Sequence, residues 1–397
     1  MKKILFITWD GPQTNYMEGL FLPIFKEIQN KSDCTFHIIQ FTWGTNNTTT
    51  TIKQIAEKAN IRYTVKQIRR KPSVIIGSLF SIYKGRKFIE KYIAENDIDI
   101  VIPRSTMPAV MINRIKNRKF KLVFDADGLP LEERIDFSGL SPRSLQYTFL
   151  KKEETKLLLN ADAVLTRSKK AMKIHQNTIG GKDLEKFSVV TNGRDTNFFK
   201  PNVVARNNVR WELKIKENTT LFVYCGSLGP QYSWDEMIAI FEKSHQKNSN
   251  SKFLILTGNL EYAHKRIPAD LKNFIIVKNV PFEQVPTYLS AADVAFALRE
   301  PKHSMIAISP IKLGEYLLMG IPTIASKGIG DSENLLKENS YCFLYNHYSS
   351  QSLGKAAEFI ESLDTNFQEK IRAFGITHYS IENSALSYIK SLNSLLQ

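Results

Sequence analysis

The sequence has 397 residues, of which 43% are hydrophobic and 23% charged, an ordinary globular composition with room for two domains. It contains no apolar run of about eighteen residues, which excludes a membrane-spanning helix of the usual length. The apolar run of five near the N-terminus is too short for the core of a signal peptide. The three cysteines lie far apart and form no metal-spaced pair, so we expect a reducing, cytoplasmic setting without a structural metal.

The net charge of +15 is concentrated in the first half of the chain. Residues 1–200 hold 34 Lys and Arg against 20 Asp and Glu, whereas residues 201–397 hold 20 against 19. The excess indicates either ordinary solubility or an anionic partner, and we favour an acidic membrane surface or a lipid-linked phosphate. No nucleic-acid-binding motif accompanies the charge, so we expect no nucleic-acid partner.

Apolar runs alternate with helical patterns over residues 1 to about 195, which predicts an α/β domain with a doubly wound sheet of parallel strands. The second half repeats this alternation from residue 220 onwards. Because the ligands of such sheets bind beyond the carboxyl ends of the strands, residues at those ends are the candidates for function. The strands predicted in the first half are Lys3–Thr8, Thr35–Gln40, Ile100–Pro103, Lys121–Asp125, Ala163–Thr166 and Phe187–Val190.

The stretch from Ser309 to Ser326, SPIKLGEYLLMGIPTIAS, carries the sharpest local pattern in the chain. Ser309 is a typical N-cap and Pro310 a typical first helical residue. Gly320 and Pro322 predict the end of this helix after about three turns. A short, buried parallel strand is predicted to follow.

The start of this helix can bind an anion, because its free backbone N–H groups and the positive end of its dipole attract negative charge. Lys312 adds a cation in the first turn, and Glu315 shares a face with it three residues later. Ser309 and Glu315 lie about 9 Å apart at ~1.5 Å per residue, which is the reach from a nucleotide's diphosphate to its ribose. One interpretation is a nucleotide-diphosphate site in which Glu315 accepts hydrogen bonds from the ribose; the other is a surface Lys–Glu pair.

The run S-P-x-K-x-x-E-Y-x-x-x-G-x-P resembles the donor-binding segment of the retaining glycosyltransferases of family 4, and the segments Ala161–Ser168 and Val189–Pro201 resemble further motifs of that family. The resemblance implies the GT-B architecture, in which two Rossmann-like domains face each other across a cleft and the last helix crosses back to the first domain. It implies an acceptor-side domain over residues 1–195, joined by 378–397, and a domain that binds the nucleotide sugar over residues 196–377.

The resemblance also implies the residues of the donor site. In the family, the glutamate at the position of Glu315 binds the ribose of the sugar nucleotide, while the preceding turn and basic residue bind its diphosphate. The donor is a substrate, so no cofactor is expected, and no metal site is predicted. The predicted donor-binding residues are Gly11, Gly226, Ser227, Val280, Phe282, Arg299, Ser309, Pro310, Ile311, Lys312 and Glu315.

The sequence departs from the family pattern in the cations and acids of this site. Family members often place an arginine directly after the glycine at position 226 and a lysine five residues later, whereas this chain has Ser227 and Tyr232. The first of the family's two glutamates would fall at Ala307. The charge of the diphosphate must therefore be balanced by Lys312, Arg299 or the helix dipole.

Asp125 and Asp127 stand at the end of the fourth predicted strand, beside a glycine. Carboxylates at such a place can act as acid or base, so both are candidate catalytic residues together with Lys312 and Glu315. Many members of the resembled family carry a histidine at or next to this place. The alternative interpretation is that the two aspartates cap the next helix.

Residues 61–91 are strongly basic, with aliphatic and aromatic side chains interleaved among the cations. Such an amphipathic segment can lie on anionic lipid, or it can form the solvated face of a helix. Both interpretations stay open at this point.

The leading hypothesis is a metal-independent enzyme that moves a sugar from a UDP- or GDP-sugar to a lipid-linked or glycan acceptor with retention of the anomeric configuration. The natural setting is the synthesis of bacterial surface polysaccharide at the cytoplasmic face of the inner membrane, with peripheral contact to anionic lipid. Two alternatives are a sugar-nucleotide 2-epimerase of the same architecture and a non-catalytic partner subunit at the membrane.

Overall fold

The chain folds into two compact units, each built on one parallel sheet. The structure is a computed structural model and describes residues 1–11, 15–337, 339–363 and 367–396. The first domain comprises Met1–Gly193 and Ile381–Gln397, and the second comprises Arg194–Ser380. Helices cover both sheets, which confirms the predicted fold class of two Rossmann-like α/β domains.

The sheet of the first domain has seven parallel strands in the order β3-β2-β1-β4-β5-β6-β7. Ile4 of the central strand pairs with Phe36 on one side and with Ile100 on the other. The chain order reverses between β1 and β4, which is the place where doubly wound sheets bind ligands. The strands are β1 (Lys2–Asp10), β2 (Cys34–Thr42), β3 (Arg62–Gln67), β4 (Ile100–Pro103), β5 (Lys121–Asp127), β6 (Ala163–Thr166) and β7 (Phe187–Val189).

Helices cover both faces of this sheet because successive strand residues point to opposite sides and both sides are apolar. Phe6 packs on Phe25 and Phe25 on Tyr388, which places α1 and α16 on one face. Leu5 and Ile82 belong to the core on the other face. The helices are α1 (Leu22–Lys31), α2 (Asn46–Lys58), α3 (Val74–Asn96), α4 (Thr106–Ile112), α5 (Pro130–Ser138), α6 (Leu145–Asn160), α7 (Lys169–Thr178) and α16 (Ile381–Leu396).

The second domain has a sheet of six parallel strands in the order β10-β9-β8-β11-β12-β13, with its reversal between β8 and β11. The strands are β8 (Thr220–Cys225), β9 (Ser251–Leu256), β10 (Ile275–Lys278), β11 (Val294–Ala297), β12 (Thr323–Ser326) and β13 (Cys342–Tyr345). The helices are α8 (Val203–Glu212), α9 (Trp234–Lys247), α10 (Leu260–Arg266), α11 (Val285–Leu289), α12 (Ile311–Leu318), α13 (Ser332–Leu336), α14 (Ser352–Glu361) and α15 (Gln368–Tyr379).

The sequence pattern misses the edge strands β3 and β13. Both lie at an end of their sheet, where one edge has no neighbouring strand. β3 alternates polar and apolar side chains and none of its residues is fully buried. The basic segment 61–91 is therefore not one amphipathic element: it consists of β3, a connecting loop and the first part of α3.

None of the helices in the described part of the chain is both long and apolar enough to cross a bilayer.

Candidate functional site

The site predicted around Lys312 begins at α12, at the carboxyl edge of the second sheet. The helix starts one residue later than predicted: Pro310 is the N-cap and Ile311 the first helical residue. The prediction that Ser309 caps the helix is wrong, because Pro310 has an extended backbone (φ −68°, ψ 110°) outside the helical region. The eight residues of α12 make just over two turns, fewer than predicted. Gly320 has the expected left-handed conformation, with φ +68°.

The Lys312 ammonium is held between two tyrosine rings. Its Nζ donates a hydrogen bond to the Tyr224 hydroxyl at 2.7 Å and lies 3.9 Å from the centroid of the Tyr232 ring. Burial, together with the Arg299 guanidinium, lowers the pKa of Lys312 well below its usual value. An anion placed beside Nζ would favour the charged form, so this lysine is suited to a ligand that brings its own negative charge.

Tyr232 stands at the position where members of the resembled family often have a lysine. Two cationic side chains, those of Lys312 and Arg299, contact its ring. The Arg299 guanidinium lies 4.8 Å from the ring centroid, and Arg299 Nη1 donates to Gln231 Oε1 at 3.1 Å. Cations over the face of a tyrosine ring are attracted by its quadrupole. Lys312 and Arg299, which come from α12 and from the end of β11, thus converge on the Tyr232 ring.

Gly226, which follows β8, allows the lysine to take this place. Its φ is +137°, and a Cβ built there would lie 2.2 Å from Lys312 Cε and 2.6 Å from Nζ. Any side chain at this position would therefore displace the ammonium, and the backbone conformation is one that L residues rarely adopt. Next to it, the Ser227 carbonyl accepts a hydrogen bond from the Tyr224 hydroxyl.

Glu315 faces the interior of the second domain and is 7% exposed. Its Oε1 accepts a hydrogen bond from Arg194 Nε at 2.9 Å, so the pair is a buried salt bridge. The next residue along the helix is Tyr316, whose hydroxyl accepts a hydrogen bond from the backbone N–H of Cys225 at 2.8 Å. Sequence reasoning missed Arg194, although it lies in the Asn-Gly-Arg-Asp run that carries part of the resemblance.

Residues 205–377, all within the second domain, match the family model for glycosyl transferases group 1. The chain has the GT-B fold of solved glycosyltransferase structures. A search of curated protein sequences finds no match.

Solved structures of GT-B glycosyltransferases align along nearly the whole chain. HepE from Anabaena, in complex with UDP and glucose, has a TM-score of 0.71 at 17% identity, covering 99% of this chain and 100% of that one. A glycosyltransferase from Rickettsia africae has a TM-score of 0.69 at 17% identity, covering 100% and 99%. WaaG, described as a glycosyltransferase involved in lipopolysaccharide biosynthesis, has a TM-score of 0.70 at 14% identity, covering 98% and 99%.

Three further residues predicted to bind the donor, Gly11, Val280 and Phe282, make contacts within their own domains. Phe282 stacks on Phe198 with ring centroids 5.2 Å apart, and both pack on the core of the second domain together with Val280. Gly11 follows β1 in the first domain, where a Cβ would lie 2.7 Å from the Trp43 ring. The predicted roles of these residues toward a nucleotide stay predictions.

Asp125 and Asp127, the candidate catalytic acids, lie in a buried charge cluster of the first domain. Asp125 is 0% exposed, and its Oδ2 accepts from Arg104 Nη1 at 3.0 Å and from Arg167 Nη2 at 2.8 Å. Asp127 Oδ2 accepts from Arg104 Nη2 at 2.7 Å. The N-cap of α5 is Leu129, and among the described residues no side chain caps this helix, so neither aspartate has the capping role.

The cluster sets the charge state of Asp125. Burial raises the pKa of Asp125, but the Arg167 and Arg104 guanidiniums outweigh burial and hold the pKa below its usual value. The carboxyl group is therefore an ionised acceptor of two guanidiniums, an arrangement that stabilises the carboxyl ends of β4, β5 and β6. Whether either aspartate takes part in catalysis stays a prediction.

Proposed function

We propose that this protein is a retaining glycosyltransferase that takes a sugar from a UDP- or GDP-sugar. The observation that carries the proposal is the pairing of Lys312 and Arg299 on the Tyr232 ring, at the reversal point of the second sheet and beside the start of α12. Two cations and a helix N-terminus in one place suit a diphosphate. The similarity to HepE, whose structures contain UDP and UDP-glucose, supports the same class of donor.

In this proposal the leaving diphosphate takes over the hydrogen bond that Lys312 now donates to Tyr224. The negative charge that develops as the glycosidic bond breaks is stabilised by Lys312, Arg299 and the α12 N-terminus, so the step needs no metal ion. Glu315 accepts hydrogen bonds from the ribose diol through its carboxylate. Arg194 fixes the orientation of that carboxylate.

The proposed acceptor is a lipid-linked or glycan acceptor of bacterial surface polysaccharide synthesis, at the cytoplasmic face of the inner membrane. The excess positive charge of residues 1–200 supports an anionic, lipid-linked substrate. The likeness in fold to WaaG, a glycosyltransferase involved in lipopolysaccharide biosynthesis, is consistent with this setting.

Gly226→Ala is expected to weaken UDP or GDP binding about tenfold to hundredfold, because the added methyl group displaces the Lys312 ammonium from its place. That range corresponds to the loss of one charge-assisted hydrogen bond, about 1.5–3 kcal/mol. Isothermal titration of the full chain with UDP and with GDP measures the effect and identifies the preferred base. Gly258→Ala is the matched control, because a Cβ at Gly258 meets no atom within 4 Å.

Equal affinities of Gly226→Ala and the parent chain would contradict the diphosphate site. If the parent chain binds neither nucleotide, the donor proposal fails and a non-catalytic partner subunit becomes the better interpretation. Rearrangement of the sugar nucleotide without any acceptor would instead support the epimerase.

We further propose that the first domain contacts anionic lipid through the start of α3. This α3 surface presents exposed apolar side chains, among them Ile75 at 64% and Tyr83 at 56% exposure. Cations surround them: Arg69 and Lys84 lie over the Phe80 ring at 4.4 and 4.5 Å. Aliphatic side chains that enter the headgroup region, ringed by cations that meet lipid phosphates, are typical of peripheral membrane contact.

The double variant Ile75→Asp, Leu79→Asp is expected to lose binding to vesicles that contain phosphatidylglycerol, because the two carboxylates introduced at exposed positions oppose both insertion and the anionic surface. Flotation of the full chain with phosphatidylcholine vesicles, with and without phosphatidylglycerol, measures the effect. Leu386→Asp is the control: Leu386 is 50% exposed on α16, on the other face of the first sheet. Unchanged flotation of the double variant, or no flotation of the parent chain, would exclude this surface.

A further inference from the structure

Three metal-ligating side chains converge at the carboxyl edge of the second sheet, outside the Lys312 cluster. Glu236 lies in the first turn of α9, Glu300 follows β11 and His347 follows β13. One ligating atom from each side chain lies within 4.8 Å of the others. The strand order brings them together, since β11 and β13 both flank β12 and end at the same edge.

The side chain of His347 is buried, with 5% exposed. Within the part of the chain that the structure describes, its Nδ1 has no hydrogen-bond partner, and it lies 3.6 Å from Glu236 Oε1. Its Nε2 lies 2.8 Å from Ser326 Oγ, which also accepts the backbone N–H of Arg299 at 2.8 Å. The ring is thus held by one nitrogen while the other points at a carboxylate.

The two glutamates also need an explanation. Among the described residues, the carboxylate of Glu300 forms no salt bridge with a lysine or arginine, yet it lies close to that of Glu236. Like charges this close raise the energy of the ionised pair unless a cation lies between them. The His347–Glu236 contact alone leaves the position of Glu300 unexplained.

We propose that Glu236, Glu300 and His347 bind a divalent transition-metal ion, with Zn²⁺ the best fit. One imidazole and two carboxylates form a set of ligands suited to zinc, with a fourth position left for water. Ligands about 2.1 Å from a tetrahedral ion stand about 3.4 Å apart, close to the 3.6 Å between His347 Nδ1 and Glu236 Oε1. The ligand atoms all lie within 4.8 Å of one another, so the third must approach the other two when the ion binds.

The hydrogen bonds around His347 suit this role. Ligation through Nδ1 leaves the ring proton on Nε2, where Ser326 Oγ accepts it. A hydrogen bond from the non-ligating nitrogen orients a metal-bound histidine in the way that second-shell partners commonly do. Because Ser326 also accepts from the Arg299 backbone, the ion would stiffen the segment that carries Arg299, but ion binding does not depend on the proposed transferase activity.

The test is a titration of the full chain, stripped with EDTA and dialysed, with Zn²⁺ and separately with Mg²⁺. We expect one Zn²⁺ per chain and no comparable heat from Mg²⁺, which takes oxygen ligands and keeps much of its water. Glu300→Gln and His347→Ala are each expected to weaken Zn²⁺ binding about tenfold or more. His264→Ala, which removes an exposed histidine of α10 in the same domain, should bind like the parent chain.

Glu300→Gln is the decisive variant because it keeps the size of the side chain, and a circular dichroism spectrum confirms that the fold is retained. The absence of Zn²⁺ binding by the parent chain would overturn the proposal. So would Zn²⁺ binding that persists in both ligand variants, since the ion would then be held elsewhere, for example by Cys34, Cys225 or Cys342.

Discussion

Glu315→Gln is expected to lower sugar transfer at least about a hundredfold, while destabilising the chain less than Glu315→Ala does. A glutamine can still accept the Arg194 Nε hydrogen bond through its amide oxygen, but it offers the ribose an NH₂ group instead of a carboxylate oxygen. Two hydrogen bonds to a charged acceptor are worth about 1.5–3 kcal/mol each, which sets the size of the loss. The measurement is kcat/KM with a UDP- or GDP-sugar, beside a thermal unfolding curve.

The structure changes the choice of variant at this position. From the sequence alone, Glu315→Ala is expected to abolish transfer and to shift the melting temperature by only a few degrees. Because Glu315 forms a buried salt bridge with Arg194, alanine would leave the guanidinium without its partner, at a cost of about 3–5 kcal/mol. A loss of activity in Glu315→Ala could therefore come from unfolding as well as from the missing contact with the ribose, and the assay would not separate the two causes.

The control for this experiment is Glu333→Gln, which alters a partly exposed glutamate of the second domain that pairs with Lys327. Transfer by the control should match that of the parent chain. If Glu315→Gln turns over donor as fast as the parent chain, then Glu315 does not contact the ribose, and its role is confined to the salt bridge with Arg194.

The second large effect is expected at Asp125, in the first domain. Asp125→Asn should destabilise this domain by about 3–5 kcal/mol, because two buried guanidiniums lose their shared carboxylate and face an amide NH₂ group. For a domain of this size, the loss corresponds to a fall of about 10 °C in melting temperature. Scanning calorimetry, which can separate the transitions of the two domains, measures it.

Asp127→Asn is the matched control. Asp127 shares Arg104 with Asp125, but its side chain is 34% exposed, so solvent screens its charge. Its φ of +61° is one that asparagine adopts readily. We expect a loss of no more than about 1 kcal/mol. Equal melting temperatures for Asp125→Asn and the parent chain would contradict the stabilising role given to the cluster.

The pH dependence of stability gives an independent check on the same cluster. The pKa of Asp125 in the folded chain lies below its usual value of 3.8, so its contribution is present above that pH. It is lost as the pH falls from about 4 through the folded-state pKa. The parent chain should therefore lose more stability over this acid range than Asp125→Asn does.

Local sequence patterns predict some features of the candidate site and not others. The spacing of Lys312 and Glu315 on one helical face is a property of the chain itself, and the structure places both on α12. Their partners are not predictable in this way: Tyr224 and Tyr232 approach Lys312 from β8 and the loop after it, and Arg194 approaches Glu315 from 121 residues away. Hydrophobic periodicity predicts which residues a few positions apart share a face of a helix or strand. It does not predict contacts between residues that are distant in the sequence.

The same limit explains the errors in the elements. The start of α12 is misplaced by one residue, because a serine before a proline satisfies the sequence rule for an N-cap while the proline itself takes the cap conformation. The edge strand β3 is missed because a strand with one free edge can carry a polar pattern. The edge strand β13 is apolar, so this reason does not apply to it. The central strands, whose middle residues are buried and apolar, are predicted well.

The sequence by itself determined that this protein is built from alternating strands and helices in two halves, with excess positive charge in the first and a helix bearing Lys312 and Glu315 in the second. Those features follow from hydrophobic periodicity, turn residues and counted charges, which are local or additive. Only the tertiary structure decided that Lys312 and Arg299 share the Tyr232 ring, that two arginines hold Asp125, and that Glu236, Glu300 and His347 meet. The physical reason is strand order: parallel strands deliver residues distant in sequence to one edge, and the order of the strands decides which of them touch.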